Sequence, residues 1–194
     1  MDMKQLLTEY YNKTYKRWRI DEEKAGKDIV GEEYEATRRK YWSQFGFSAK
    51  SEKIAGYDAD LVVRDKNNNI VVIEEDKAHY VDSCFLDRFM MNAARVLNHY
   101  IDLGTKDEDI PPIVLSSMTT YNLFDEKYKA NKTLFSDRIQ KLMDEKINYL
   151  PMCDHDRVRA AKYFKSTDVS FTFSDKLIQK QSNFVDSLGV QSEK

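Results

Sequence analysis

Two short runs of apolar, mostly β-branched residues with a polar loop between them constrain the fold of this chain more than any other feature. The runs are Asp60–Arg64 and Ile70–Glu75, and the loop Asp65–Asn69 ends in three consecutive asparagines. Asp and Asn favour turns because they tolerate left-handed backbone angles and bond to nearby backbone groups. Such a loop between two apolar runs is typical of a β-hairpin.

Helical and strand periodicities alternate around this hairpin. The predicted elements are a helix over about 32–44 that stops at Gly46, an edge strand over 47–49, a helix over 82–103, a strand over 113–115, a helix over about 123–146 and a strand over 147–150. Further helices are predicted over 3–19 and 175–188. A hairpin followed by helix-linked strands favours an α/β fold with a mixed sheet and helices on its faces.

The composition is that of a soluble globular protein. The chain has 194 residues, of which 41% are hydrophobic and 33% charged, so one domain can bury a real core. We interpret 1–194 as a single domain, with a core at about 30–150, an N-terminal helical extension at 1–28 and a C-terminal extension at 153–194. In this interpretation each extension contributes an extra helix to the domain.

The location expected from the sequence is cytoplasmic. No apolar run approaches the roughly 18 residues of a membrane span, and the N-terminus has no apolar signal-peptide core. No membrane partner is therefore expected. Cys84 and Cys153 lie far apart without CxxC spacing, so we expect free thiols in a reducing compartment.

Three charged residues at one end of the predicted hairpin form the candidate catalytic centre. Glu75 and Lys77 point the same way because side chains alternate along a strand, and Asp60, which begins the partner strand, comes within reach of Glu75. Carboxylates are hard ligands suited to Mg²⁺ or Mn²⁺. Such a metal activates water and offsets charge on a transferring phosphoryl group, while a lysine orients or deprotonates the water. The pattern indicates phosphodiester hydrolysis.

These residues resemble the motif of the PD-(D/E)xK nuclease superfamily. An Asp leads a hydrophobic strand, here Asp60-Leu61-Val62-Val63, and a second strand ends in Glu-x-Lys, here Val72-Ile73-Glu74-Glu75-Asp76-Lys77. The proline that commonly precedes the Asp is absent. The resemblance covers about residues 30–150 and implies a restriction-endonuclease-like αβββαβ core.

The resemblance also implies an activity. It is that of an Mg²⁺-dependent endonuclease, with Mn²⁺ able to substitute, acting on nucleic acid and most simply on double-stranded DNA. Asp60 and Glu75 would be metal ligands and Lys77 catalytic. The family often adds a glutamate on the preceding helix. Counting back from Gly46-Phe47 selects Glu35 as a further catalytic and metal-binding residue, with Glu32 and Glu33 as alternatives.

Several functions fit the same centre. A type II restriction-like enzyme, homodimeric if it cuts both strands, is the first choice. A Holliday-junction resolvase, a repair nuclease, an RNA-cleaving endonuclease and a catalytically inactive nucleic-acid-binding module are alternatives. A metal-free hydrolase of small molecules or carbohydrates would use the Asp60/Glu75 pair with a raised carboxylate pKa. Lys77 beside Glu75 instead favours a site that binds an anionic substrate.

Several further acidic or histidine-containing positions lie near the motif or resemble metal ligands. Asp58 has the same parity as Asp60 and is its rival. Glu74 and Asp76 should face away from Glu75, toward solvent or a basic partner. His79 shares the parity of Lys77 and is either a phosphate contact or a histidine at the surface or core edge. The stretch Cys153-Asp154-His155-Asp156 is interpreted as a polar loop rather than a zinc site.

The basic residues allow two interpretations each. One set lies near the N-terminus at Lys13, Lys16, Arg17, Arg19 and Lys24, another is Arg38-Arg39-Lys40, and a third set, Arg88, Asn92 and Arg95, shares one helix face. Each is either a phosphate-binding surface or a solvated helix face.

Overall fold

The computed structural model describes residues 35–36, 38–77, 83–117, 121–150, 179 and 183–189. Its helices are α1 (residues 35–36 and 38–43), α2 (Ser83–Asp102), α3 (Tyr121–Lys132), α4 (Asp137–Lys146) and α5 (residues 183–187), with a 3₁₀ turn at Asp107–Asp109. Its strands are β1 (Ser48–Ile54), β2 (Tyr57–Arg64), β3 (Ile70–Lys77), β4 (Ile113–Ser117) and β5 (Ile147–Tyr149). In this part of the chain no helix has the length and apolarity that crossing a membrane demands.

The five strands form one mixed sheet in the order β1-β2-β3-β4-β5. β1, β2 and β3 are antiparallel neighbours, whereas β3–β4 and β4–β5 are parallel pairs. Helices cover the sheet, so the predicted α/β class and mixed sheet are confirmed. The predicted helix over 3–19 lies outside the described residues, and so does half of the one predicted over 175–188, whose residues 183–187 are helical.

The polar loop closes the hairpin as its composition predicts. The Asp65 carboxylate accepts hydrogen bonds from the backbone N–H groups of Asn67 and Asn69 at 2.9 and 2.8 Å, and Asn68 has a positive φ of 68°. The side-chain and backbone bonds from Asn69 lower the pKa of Asp65. A left-handed asparagine and an acid that binds nearby backbone N–H groups are the features that make such loops turn.

A bulge in β2 changes which residues share a face. Lys50 pairs with Val62, but Glu52 pairs with Ala59, so Asp60 and Leu61 together oppose the single residue Ser51. An extra residue of this kind reverses the alternation of side chains beyond it. Ala59 and Val62, three positions apart, consequently lie in the same hydrophobic cluster.

Both faces of the sheet are buried. One face packs against α2 and α4 in a cluster that includes Val62, Ile73, Leu86, Leu97 and Leu142. The other carries Leu61, Val63, Val72 and Val114, which are also fully buried. On that side Trp42 of α1 lies 6.4 Å from Phe184 of α5, measured between ring centroids. Strands enclosed on both faces read as continuous apolar runs, as β2 and β3 do.

Several element boundaries differ from the sequence prediction: β2 begins at Tyr57 rather than Asp60, β3 ends at Lys77 rather than Glu75, and β4 ends at Ser117 rather than residue 115. The edge strand is longer, at Ser48–Ile54 rather than 47–49, because it pairs along most of β2. The single helix predicted over 123–146 is two helices. Ser136 caps the second one by accepting a hydrogen bond from the Ile139 N–H, and serine is a preferred N-cap residue.

Candidate active site

Glu75 and Lys77 lie together on one face of β3, as the strand alternation predicts. The Lys77 Nζ is 3.2 Å from Glu75 Oε1. The Glu75 side chain is only 12% exposed, whereas that of Lys77 is 40% exposed. The carboxylate is therefore largely shielded from water, while the ammonium group reaches the surface.

Asp60 lies where β2 and β3 part from each other. The last paired residues of these strands are Leu61 and Glu74, and beyond them β3 pairs only with β4. In the gap, Asp60 Oδ2 accepts a 2.8 Å hydrogen bond from the backbone N–H of Asp76. We call this open end, formed by Asp60 of β2 and Glu75–Lys77 of β3, the strand fork.

Burial raises the pKa of both carboxyl groups in the fork. Desolvation is the main cause for Asp60 and for Glu75 alike, because a charged group loses its hydration there. Lys77 opposes the shift at both residues. The lysine is thus the cation that acts on the two carboxylates together.

Two residues that the sequence analysis did not single out, Tyr57 and Phe85, lie next to Glu75 and Lys77 together with Arg88, which it had proposed as part of a phosphate-binding surface. The Tyr57 hydroxyl donates a hydrogen bond to Glu75 Oε2. The Lys77 Nζ lies 5.0 Å from the ring centroid of Phe85, and Arg88 acts to lower the pKa of Glu75. The sequence offered no signal for Tyr57. In a regular strand, side chains three positions apart point to opposite faces, so Tyr57 and Asp60 would not be expected to serve the same site.

On the other face of β3, Glu74 forms a buried ion pair with α1. Arg38 donates to both of its carboxylate oxygens, from Nε at 2.7 Å and from Nη2 at 3.1 Å, and Trp42 Nε1 donates to Oε2 at 2.8 Å. Arg38 is 1% exposed and Glu74 is fully buried. Of the two surroundings considered for Glu74, solvent or a basic partner, the structure shows the second, and the partner is Arg38.

The position of Arg38 also corrects the interpretation of the run Arg38-Arg39-Lys40. Its guanidinium carbon lies 4.2 Å from the Tyr41 ring centroid, inside the protein. Arg39 is half-buried and Lys40 is exposed. The run is neither a uniform solvated face nor a uniform phosphate-binding face, since its first member stabilises the fold.

Asp76 is a buried acid next to this ion pair. Its pKa is raised well above the ordinary value, first by burial and then by the neighbouring Glu74 carboxylate. Arg38 Nε lies 4.0 Å away from Asp76 Oδ1. Neither oxygen of the Asp76 side chain has a hydrogen-bond partner with regular geometry among the described residues. Burial and the nearby Glu74 carboxylate thus both favour the protonated form of Asp76.

The end of β3 carries more negative than positive charge. Three carboxyl groups, at Asp60, Glu74 and Glu75, face two cations, Arg38 and Lys77, which leaves a formal charge of -1 if the three ionise and Asp76, whose pKa is raised, stays protonated. A divalent cation would offset this excess. Asp60 and Glu75 offer the hard oxygen ligands that Mg²⁺ takes, and this ion is commonly held by only one or two carboxylates with water and phosphate completing its shell.

The other predicted metal ligands lie elsewhere. Asp58 is 78% exposed and its carboxylate is 3.4 Å from Lys53 Nζ, on β1, away from Glu75. Glu35 is half-buried in α1, the helix that packs on the Glu74 side. Across the described ranges, no three His, Cys, Asp or Glu residues form a group able to hold a metal, so Glu35 does not complete a triad with Asp60 and Glu75. Glu32 and Glu33 lie outside the described residues.

The remaining predicted candidates lie either on α2 or outside the described residues. Arg88 and Arg95 are exposed on α2, with Asn92 half-buried between them. His79, the stretch 153–156 and the N-terminal basic set all fall outside the described residues.

The fold and the strand fork define an α/β protein with an acidic, lysine-containing site at the open end of a central hairpin. The chain matches no protein-family model, no curated protein sequence and no solved structure.

Proposed function

We propose that this protein is a divalent-metal-dependent nuclease of the PD-(D/E)xK type with a restriction-endonuclease-like core. The observation that carries the proposal is that Lys77 lies 3.2 Å from Glu75 and also acts on Asp60, at the end where β2 and β3 separate. Two shielded carboxylates beside a surface-reaching ammonium group suit the handling of a metal ion and a phosphate together.

Each residue has a distinct role in this proposal. Asp60 and Glu75 would hold Mg²⁺, and Mn²⁺ in its place. The hydrogen bond from the Asp76 N–H orients Asp60, and the Tyr57 hydroxyl orients Glu75. Lys77 would bind a phosphate oxygen or the attacking water. The bound metal would supply Lewis-acid stabilisation and a lowered pKa for its water.

Duplex DNA is the proposed substrate and a type II restriction-like cut the proposed reaction. Resolvase, repair and RNA-cleaving activities use the same centre, so substrate competition separates them. A metal-free hydrolase is the second candidate, because the raised pKa of Glu75 is what a general acid requires. The Lys77 contact opposes that role, since a nearby ammonium group favours the ionised carboxylate.

Cleavage of supercoiled plasmid tests the proposal. We expect nicked and linear products with Mg²⁺ or Mn²⁺, none with EDTA, and none from a Lys77→Ala variant prepared in parallel. Equal cleavage by Lys77→Ala would show that the activity is a contaminant or that the site is misassigned. A protein that binds DNA but cuts none under any metal would be the inactive module. A panel of duplex, junction, single-stranded and RNA competitors then identifies the substrate.

A further inference from the structure

Four residues with hydrogen-bond donors lie along one face of α2. They are Arg88, Asn92, Arg95 and His99, spaced by four, three and four positions, which is the spacing of one helix face. The arginines are exposed, and Asn92 and His99 are half-buried. The opposite face of the helix is packed in the core through Leu86, Phe89, Met90, Ala93, Val96 and Leu97. We call these four residues the donor row.

The donor row begins beside the strand fork. Arg88 is close enough to Glu75 to lower the pKa of that carboxyl group. The Arg88 guanidinium carbon lies 6.0 Å from the Phe85 ring centroid, and Lys77 Nζ lies 5.0 Å from the same centroid. Arg88 and Lys77 therefore both lie next to the Phe85 ring. The donor row thus extends the positive charge of Lys77 along α2.

The donor row ends in an open groove of about 490 Å³. The groove is lined by Ala55, Met91, Arg95, Asn98, His99 and Asp102. Ala55 belongs to the turn between β1 and β2, two residues before Tyr57 at the fork. At about 1.5 Å per residue the row spans about 16 Å, the axial length of several nucleotides at about 3.4 Å each.

The two arginines of the row are available to an anion. In the described part of the chain no ion pair involves Arg88 or Arg95, whereas some other surface cations are paired. Arg64, Lys132 and Arg138 each hold a carboxylate oxygen, at 2.7, 2.8 and 2.9 Å. Arginine forks match phosphate oxygens well, and amide and imidazole N–H groups add neutral donors of the kind that position a nucleic-acid backbone.

We infer that the donor row binds the phosphates of one strand of duplex DNA on one side of the scissile bond, without reading the bases. The inference rests on the proposed function, because the strand fork is taken as the point of cleavage. Phosphate binding can nevertheless be measured without cleavage, so the two can fail separately.

The test is the salt dependence of binding to a fluorescein-labelled DNA duplex two helical turns long, followed by anisotropy in EDTA. Each lost phosphate contact lowers the slope of log K against log salt by about 0.9. We expect Arg88→Ala and Arg95→Ala each to lower the slope by about that amount, and the double variant by about twice as much. Arg88→Lys and Arg95→Lys keep the charge and should keep the slope.

Lys66→Ala is the matched control. Lys66 is exposed in the loop at the far end of the hairpin, so its removal takes away one positive charge but no part of the donor row. An unchanged slope for both arginine variants, or an equal decrease for Lys66→Ala, would overturn the inference. Lower slopes in a protein that never cleaves DNA would support the donor row and count against the nuclease proposal alone.

Discussion

The carboxylate of Asp60 accepts a 2.8 Å hydrogen bond from the backbone N–H of Asp76, just past the last paired residues of β2 and β3. The side chain thus replaces a missing ladder bond and is fixed in the strand fork. Asparagine can accept the same bond through its amide oxygen. The charge of Asp60 can therefore be removed without removing this contact.

Asp60→Asn is expected to lower kcat for Mg²⁺-dependent DNA cleavage roughly 10²–10³-fold, the usual cost of removing one electrostatic group from a catalytic site. The fold should persist because the bond to the Asp76 N–H is kept. Initial rates on plasmid measure the effect. Asp58→Asn is the control, since Asp58 is exposed and paired with Lys53. Equal losses in both variants, or full activity of Asp60→Asn, would contradict the assignment.

Mn²⁺ or Mg²⁺ is expected to raise the Tm of the wild-type protein, because an ion that binds only the folded state stabilises it by mass action. The excess negative charge of the strand fork is the physical reason. Asp60→Asn and Glu75→Gln should lose this shift, and both should gain stability in EDTA because a neutral amide avoids the cost of burying a charge, which raises the pKa of both carboxyl groups. Differential scanning fluorimetry at several metal concentrations gives the result. A shift retained in both variants would place the metal elsewhere.

Arg38→Met is expected to lower the free energy of unfolding by about 3–5 kcal/mol, the cost of leaving one partner of a buried ion pair alone. Glu74 would be left buried with only the Trp42 bond. Lys53→Met removes a cation from an exposed pair and should cost less than about 1 kcal/mol. Urea unfolding measures both. Similar losses in the two variants would show that the Arg38–Glu74 pair contributes no more than a surface contact.

The raised pKa of Asp76 predicts how stability depends on pH. Its folded pKa exceeds its unfolded pKa, so its contribution to stability is present below the ordinary aspartate pKa and is lost as pH rises through the raised value. Asp76→Asn cannot ionise. The unfolding free energy of the variant, relative to wild type, should therefore increase with pH across that window.

Urea unfolding in EDTA over a pH series measures this difference. The buried asparagine of the variant has no hydrogen-bond partner and lowers the unfolding free energy by an amount that is the same at every pH. It therefore does not affect the slope of the difference with pH. Asp58→Asn is the control and should follow the wild-type curve. A difference that stays flat with pH would show that Asp76 is ionised in the folded protein at every pH tested.

Local patterns predicted much of this fold. The polar loop Asp65–Asn69 and the two apolar runs specify the hairpin, and the same alternation places Glu75 beside Lys77. These features depend on neighbouring residues only. Ser136 was also a usable local signal, because an N-cap residue followed by Asp137 marks a helix start, and it divides the helix predicted over 123–146.

Long-range pairings could not be predicted in the same way. The bulge opposite Ser51 depends on the register between β1 and β2, and it alone explains why Tyr57 reaches Glu75. The partner of Glu74 lies 36 residues away in α1, and nothing in the sequence distinguishes Arg38 from its basic neighbours. The departure of Asp60 from the ladder likewise depends on where two strands separate.

The buried pair between Arg38 and Glu74 has a consequence for the strand that carries the site. A slip of β3 by one residue would exchange its two faces, bringing either Glu75 and Lys77 or Ile73 and Glu75 toward α1. Lys77 opposite Arg38 would place two positive charges together, and Ile73 would leave the buried guanidinium group without a hydrogen-bond acceptor. Trp42 would also lose the Glu74 carboxylate that accepts its N–H. The Arg38–Glu74 pair thus favours the register of β3 in which Glu75 and Lys77 lie on the α2 side of the sheet, next to Phe85.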